Sequence, residues 1–130
     1  SQFLSHLYRE LSAAHQFNFV LDYLNRSQPQ LHDDLPSHDE AHKTMLSYTF
    51  FAPRDSAFLN LWPQDTADPF VIDPSFRHDV LLSHFVRKRL YHDRDLVDGA
   101  VLEMADGKRT AKITRDGGKL TNPWVKSKFD

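Results

Sequence analysis

The chain has 130 residues, a length that suits one domain with a real hydrophobic core, and its 40% apolar and 12% aromatic content is that of a globular protein. Sixteen basic and eighteen acidic residues leave a formal net charge of −2, which supplies no general basic field for nucleic acid or an anionic membrane. With no cysteine, disulfides and thiolate metal sites are excluded, and no apolar run approaches the roughly 18 residues of a membrane-spanning helix.

Phe3, Leu4, Leu7, Tyr8 and Leu11 fall on one side of a helix, and Phe17, Val20, Leu21 and Leu24 form a second such stripe. The polar step His15-Gln16 between them predicts a joint between two helices. From Ser27 to Lys43 the pattern gives way to Pro, Asp, Ser, Gln and His, which reads as a long solvated loop. Leu46 to Phe51 is rich in β-formers and stops at Ala52-Pro53, so it reads as a buried strand. Asp55 is then placed to cap a short helix carrying Phe58, Leu59 and Trp62. Asp73-Pro74 repeats the device for a helix presenting Phe76, Val80, Leu81 and Phe85.

Beyond Tyr91 the pattern changes to strands. Asp98-Gly99, Asp106-Gly107 and Asp116-Gly117 are turn signals, with the β-compatible runs Val101 to Met104 and Ala111 to Thr114 between them. Helices first and hairpins afterwards predict an α+β domain rather than an alternating βαβ one.

Two segments resemble the signatures of the fasciclin domain family. Tyr48-Thr49-Phe50-Phe51-Ala52-Pro53-Arg54-Asp55-Ser56-Ala57-Phe58 is similar to the first, a strand ending in Phe-Ala-Pro, a polar cap and then Ala-Phe. Leu81-Leu82-Ser83-His84-Phe85-Val86-Arg87-Lys88-Arg89-Leu90-Tyr91 is similar to the second, in which a histidine follows a Leu-rich helix and precedes an apolar pair. The resemblance spans Phe3 to the C-terminus. It implies a fasciclin-like β-sandwich or wedge with helices packed around it, and structural roles for Phe51, Pro53, Asp55, Phe58 and His84. Ser83 stands where many members carry tyrosine, so integrin recognition attributed to a Tyr-His pair does not transfer. The family usually adds an Asn-Gly turn and a Val-Ile-Asp strand beyond the position of Asp130. Residues 1–130 are therefore expected to form a single fasciclin-like domain lacking its final strand, with an open sheet edge. Since Ser1-Gln2-Phe3 has neither the basic start nor the apolar core of a signal peptide, a secreted parent would imply a processed form or an excised piece.

The function implied by the resemblance is a non-catalytic, extracellular adhesion or matrix-binding module, one of several tandem copies in a secreted or membrane-anchored protein. No cofactor is expected, and no nucleic acid. The partners expected are cell-surface or matrix proteins, with sulfated glycans a further class. Arg87, Lys88, Arg89, Tyr91 and Arg94 form the candidate partner-binding cluster. Asn25-Arg26-Ser27 is a sequon for N-glycosylation at Asn25.

A competing reading from another class is a metal-dependent hydrolase. On a helix, His38 and His42 would share one face and clasp zinc. The metalloprotease motif places glutamate directly after the first histidine, where this chain has Asp39 with Glu40 next along. A third reading is a carrier of glycans or small ligands, resting on Arg87, Lys88 and Arg89. The chain has neither a Gly-rich phosphate loop nor a Gly-x-Ser-x-Gly elbow.

Overall fold

The structure, a computed structural model, describes residues 2–41, 43–59, 61–63, 65–91 and 94–121. Helices α1 (Gln2–Ala14) and α2 (Asn18–Arg26) follow the two apolar stripes. His15 joins them at φ 57, the left-handed conformation that commonly ends helices. The stripes bury Leu4 and Leu11 on α1, and Val20, Tyr23 and Leu24 on α2.

The polar stretch after Ser27 is not a loop throughout. It opens with a third helix, α3 (Gln28–Asp34), in which Pro29 occupies the first turn. Leu31 and Leu35, one helical turn apart, are 0% and 1% exposed and anchor α3 to the core, although their neighbours in sequence are Gln, His, Asp and Pro. The segment then forms a short hairpin of β1 (His38–Asp39) and β2 (Thr44–Met45). The strand expected over residues 46–51 shrinks to β3 (Thr49–Phe50).

The helix expected after Asp55 is a single 3-10 turn, Asp55–Phe58. Leu59 is exposed, and Trp62 half-buries itself against the Phe70 ring at 5.7 Å. Helix α4 (Pro69–Ile72) is capped by Asp68, whose Oδ1 accepts the Phe70 N–H at 2.9 Å. Helix α5 (Pro74–Leu82) is capped by Asp73, whose Oδ1 accepts the Phe76 N–H at 3.1 Å. It ends before Phe85, which belongs instead to β4 (Phe85–Val86).

Antiparallel pairing of β3 with β4 sets Thr49 opposite Val86 and Phe50 opposite Phe85. Because side chains alternate across a strand, this small sheet has two apolar faces. Phe50 and Phe85 turn to the helices, with ring centroids 4.4 Å apart, and join the cluster of Leu4, Tyr23, Leu24, Leu31 and Leu81. Phe51 and Val86 turn the other way, to Leu96, Leu102, Met104, Ile113 and Leu120. The sheet is thus the wall between two apolar clusters.

The second cluster is closed by two hairpins. Strands β5 (Val101–Glu103) and β6 (Thr110–Lys112) pair with Leu102 opposite Ala111, and β7 (Arg115–Asp116) pairs with β8 (Lys119–Leu120). Gly117 and Gly118 both have positive φ, the requirement of a tight two-residue hairpin turn. A bridge from Val86 to Met104 sets β4 beside β5, giving the spatial order β3, β4, β5, β6. The result is an α+β domain of helices and small antiparallel sheets, with no closed barrel among the described residues.

Candidate functional site

The two segments singled out in the sequence meet at the wall between the clusters. The Phe51 N–H donates to the His84 carbonyl at 2.9 Å, extending the β3–β4 ladder by one bond. The His84 ring turns back on its own helix, with Nδ1 2.8 Å from the Val80 carbonyl. A carbonyl only accepts, so Nδ1 carries the proton and Nε2 presents a lone pair. Burial holds the ring below its ordinary pKa of 6.5, and the positive charge of Arg109 adds to this. The bond to Val80 opposes both without reversing the shift.

Ser83 is the nearest hydroxyl, its Oγ 3.2 Å from Nδ1. Its proton goes to the Val80 carbonyl at 2.5 Å, and Nδ1, already protonated, cannot serve it as a base. The pair therefore has the polarity of a helix-end clasp and not of a nucleophile with its base. Beside it lies an open hollow of about 340 Å³, lined by Phe51, His84, Met104, Arg109 and Lys112 among others.

Asp55 does not cap the turn it begins. Its carboxylate reaches back 36 residues to α2, which has no cap of its own at Phe17. Oδ1 accepts the Phe19 N–H at 2.9 Å and Oδ2 accepts the Asn18 side-chain amide at 2.9 Å. The Asp55 N–H donates to the Gln16 carbonyl at 2.8 Å, so one residue fastens the α1–α2 joint to the end of the aromatic strand. Pro53 is half-buried, and Phe58 packs its ring 5.5 Å from both Phe19 and Tyr23.

The basic cluster divides in two. Arg89 and Arg94 both lie against the ring of Tyr91, with guanidinium carbons 5.4 and 4.0 Å from its centroid. Asp95 steadies this loop by accepting the Tyr91 N–H at 2.8 Å and pairing with Lys88 at 3.2 Å. The Tyr91 bond chiefly, with Lys88 and Arg94 adding, lowers the Asp95 pKa against a smaller effect of burial. Arg87 instead borders hollows that it shares with residues 101–110.

The model of the fasciclin domain matches residues 15–127, which include both segments and the wall they build. The chain belongs to the fasciclin domain family. A comparison with curated proteins returns no significant match. Fasciclin domains are in general non-enzymatic adhesion modules, typically extracellular or at the cell surface.

In this fasciclin domain Asn25 is exposed near the end of α2. The segment considered for zinc is a β-hairpin at His38, so the helical spacing that the hydrolase reading requires is not formed there; His42 lies outside the described residues. Among the described residues no group of three or more His, Asp or Glu converges to hold a metal ion, and no helix is long and apolar enough to cross a membrane.

Sequence reasoning passed over two sets of residues. Arg77 is 6% exposed and satisfied without a carboxylate: Nε donates to Ser27 Oγ at 2.7 Å, Nη1 to the Phe70 carbonyl at 3.0 Å and Nη2 to the Arg26 carbonyl at 3.3 Å. Its only trace in the sequence is a cation one turn before Leu81 on an otherwise apolar helix face. The second set is Lys108, Arg109 and Lys112 on the β5–β6 hairpin, signalled by a basic pair directly after the Asp106-Gly107 turn.

Proposed function

We propose that this fasciclin domain is a non-catalytic binding module that works outside the cell, carried with sister copies in a secreted or membrane-anchored protein. It adheres to cell-surface or matrix proteins through the exposed loop of Arg87, Lys88, Arg89, Tyr91 and Arg94. The observation that supports this reading is the family match over residues 15–127. The internal geometry agrees with it: Ser83 and His84 spend their polar hydrogens on the end of α5. The loop, by contrast, sets a 42% exposed tyrosine against two guanidinium groups, a pre-ordered amphipathic anchor of the kind enriched at protein interfaces. Asn25, exposed on α2, reads as a glycan attachment point.

The test is attachment of cells or matrix extract to the immobilised domain, compared with a quadruple variant Arg87→Gln, Lys88→Gln, Arg89→Gln, Arg94→Gln. Attachment above an uncoated surface that falls in the variant supports the reading. Attachment indifferent to all four substitutions removes the loop from it. Tight one-to-one zinc binding abolished by His38→Ala would return the hydrolase to consideration.

A further inference from the structure

The charge of this chain is unevenly placed. Five basic and eleven acidic residues precede His84, whereas eleven basic and seven acidic residues follow the Ser83–His84 bond. A net charge of −2 therefore conceals an acidic helical half and a basic β half.

Three hollows lie along the surface of the basic half. The hollow beside His84 shares Met104, Arg109 and Thr110 with a second of about 400 Å³, and the second shares Arg87 and Glu103 with a third of about 260 Å³. Together they make one trench across β4, β5 and β6. Its exposed cations are Lys112, Arg109, Lys108 and Arg87, with Lys88 at the far end.

Of the two carboxylates along it, Asp106 is consumed by its own turn. Its Oδ1 accepts the N–H groups of Lys108 at 2.9 Å and Arg109 at 3.0 Å, which fixes the backbone of the turn, and its Oδ2 makes a long ion pair of 3.7 Å with the exposed guanidinium of Arg109. Glu103 remains exposed in mid-trench, and the Val86–Met104 bridge sets it opposite Arg87.

We infer that this trench binds a linear sulfated glycan, a partner class that refines the adhesive function proposed above and rests on it. A row of cations over joined hollows matches a chain of repeated anions better than one small acid. Guanidinium and ammonium groups bind sulfate oxygens through charge-assisted hydrogen bonds. Single-stranded nucleic acid needs exposed rings on which bases stack; of the two rings lining these hollows, Phe51 is buried and His84 is half-buried and tied to the Val80 carbonyl.

The experiment measures affinity of the full 130-residue chain for heparin by calorimetry and by salt elution from immobilised heparin. The triple variant Lys108→Gln, Arg109→Gln, Lys112→Gln is expected to bind on the order of tenfold more weakly, with a shallower salt dependence. Glu103→Gln is expected to bind more tightly, an outcome that loss of folding cannot mimic. Affinity unchanged in the triple variant, or weakened by Glu103→Gln, overturns the inference. So does equal binding of desulfated heparin. An oligoglutamate peptide or a single-stranded oligonucleotide binding as tightly as heparin transfers the trench to an acidic protein or a nucleic acid and also overturns it. The triple variant leaves residues 87–94 intact, so heparin binding can fail in it while attachment of cells or matrix extract stands, and attachment can be absent from a domain that still binds heparin.

Discussion

Arg77→Met tests whether a buried cation with no carboxylate partner among the described residues holds this fold together. Methionine retains most of the packing stem and removes the guanidinium, together with its bonds to Ser27 Oγ and to the Phe70 and Arg26 carbonyls. Those bonds tie α5 to α4 and to the joint between α2 and α3, all inside a site where Arg77 and Ser27 are 6% and 1% exposed. Each bond to a charged donor contributes about 1.5–3 kcal/mol, but the substitution also removes the desolvation of the cation, which offsets several kcal/mol. The net expectation is a loss of about 2–4 kcal/mol, a large share of the roughly 5–15 kcal/mol typical of a domain. Urea unfolding followed by circular dichroism measures it directly, with an unchanged slope showing that both states keep their compactness. Ser27→Ala, which leaves the cation one partner short, is expected to cost about 1–3 kcal/mol, and the double variant less than the sum of the two. If Arg77→Met is as stable as the parent within about 0.5 kcal/mol, the guanidinium bonds merely balance the cost of burying the charge, and the clamp argument fails.

Leu31→Ala is expected to destabilise by about 2–5 kcal/mol, since the side chain is fully buried; a melting temperature unmoved by it would return α3 to the status of a surface loop. Asp55→Ala removes the remote cap of α2 and is expected to cost about 0.5–2 kcal/mol, with Asp55→Asn restoring most of it, and faster amide exchange at Phe19 is the local readout. His84 has a folded pKa below 6.5, so its contribution to stability is complete above that value and is lost as the pH falls from about 6.5 toward the folded pKa. Titration of its ring resonances by NMR should give a midpoint below 6.5, and His84→Gln should flatten the acid limb of the stability profile; a midpoint at or above 6.5 contradicts the burial argument.

The elements legible in the sequence are those with a local cause. Two apolar stripes at helical spacing mark α1 and α2, Asp73-Pro74 marks the start of α5, and each Asp-Gly pair marks a turn. Helix α3 was hidden because only Leu31 and Leu35 carry its apolar face, and two apolar residues among Gln, His, Asp and Pro make no visible stripe. Their anchoring power comes from the depth of the groove that receives them, a property of the helices around it. Phe85 was drawn into the preceding helix for the converse reason: its spacing fits α5, but Ser83 and His84 close the helix with side-chain bonds to Val80, and pairing with Phe50 takes Phe85 into β4.

By itself the sequence determines the α+β class, the family, helices α1 and α2 and the start of α5, because these follow from short-range periodicity, capping chemistry and recognisable segments. Only the tertiary structure decides which helix Asp55 caps, what satisfies Arg77, and that Arg87 borders a hollow with Lys108 and Arg109 while Arg89 and Arg94 lie against Tyr91. The partners of Asp55, Arg77 and Arg87 lie tens of residues away along the chain. Hydrogen bonds and charges act through a few ångströms of space, and no local pattern records which distant segments the cores will bring together.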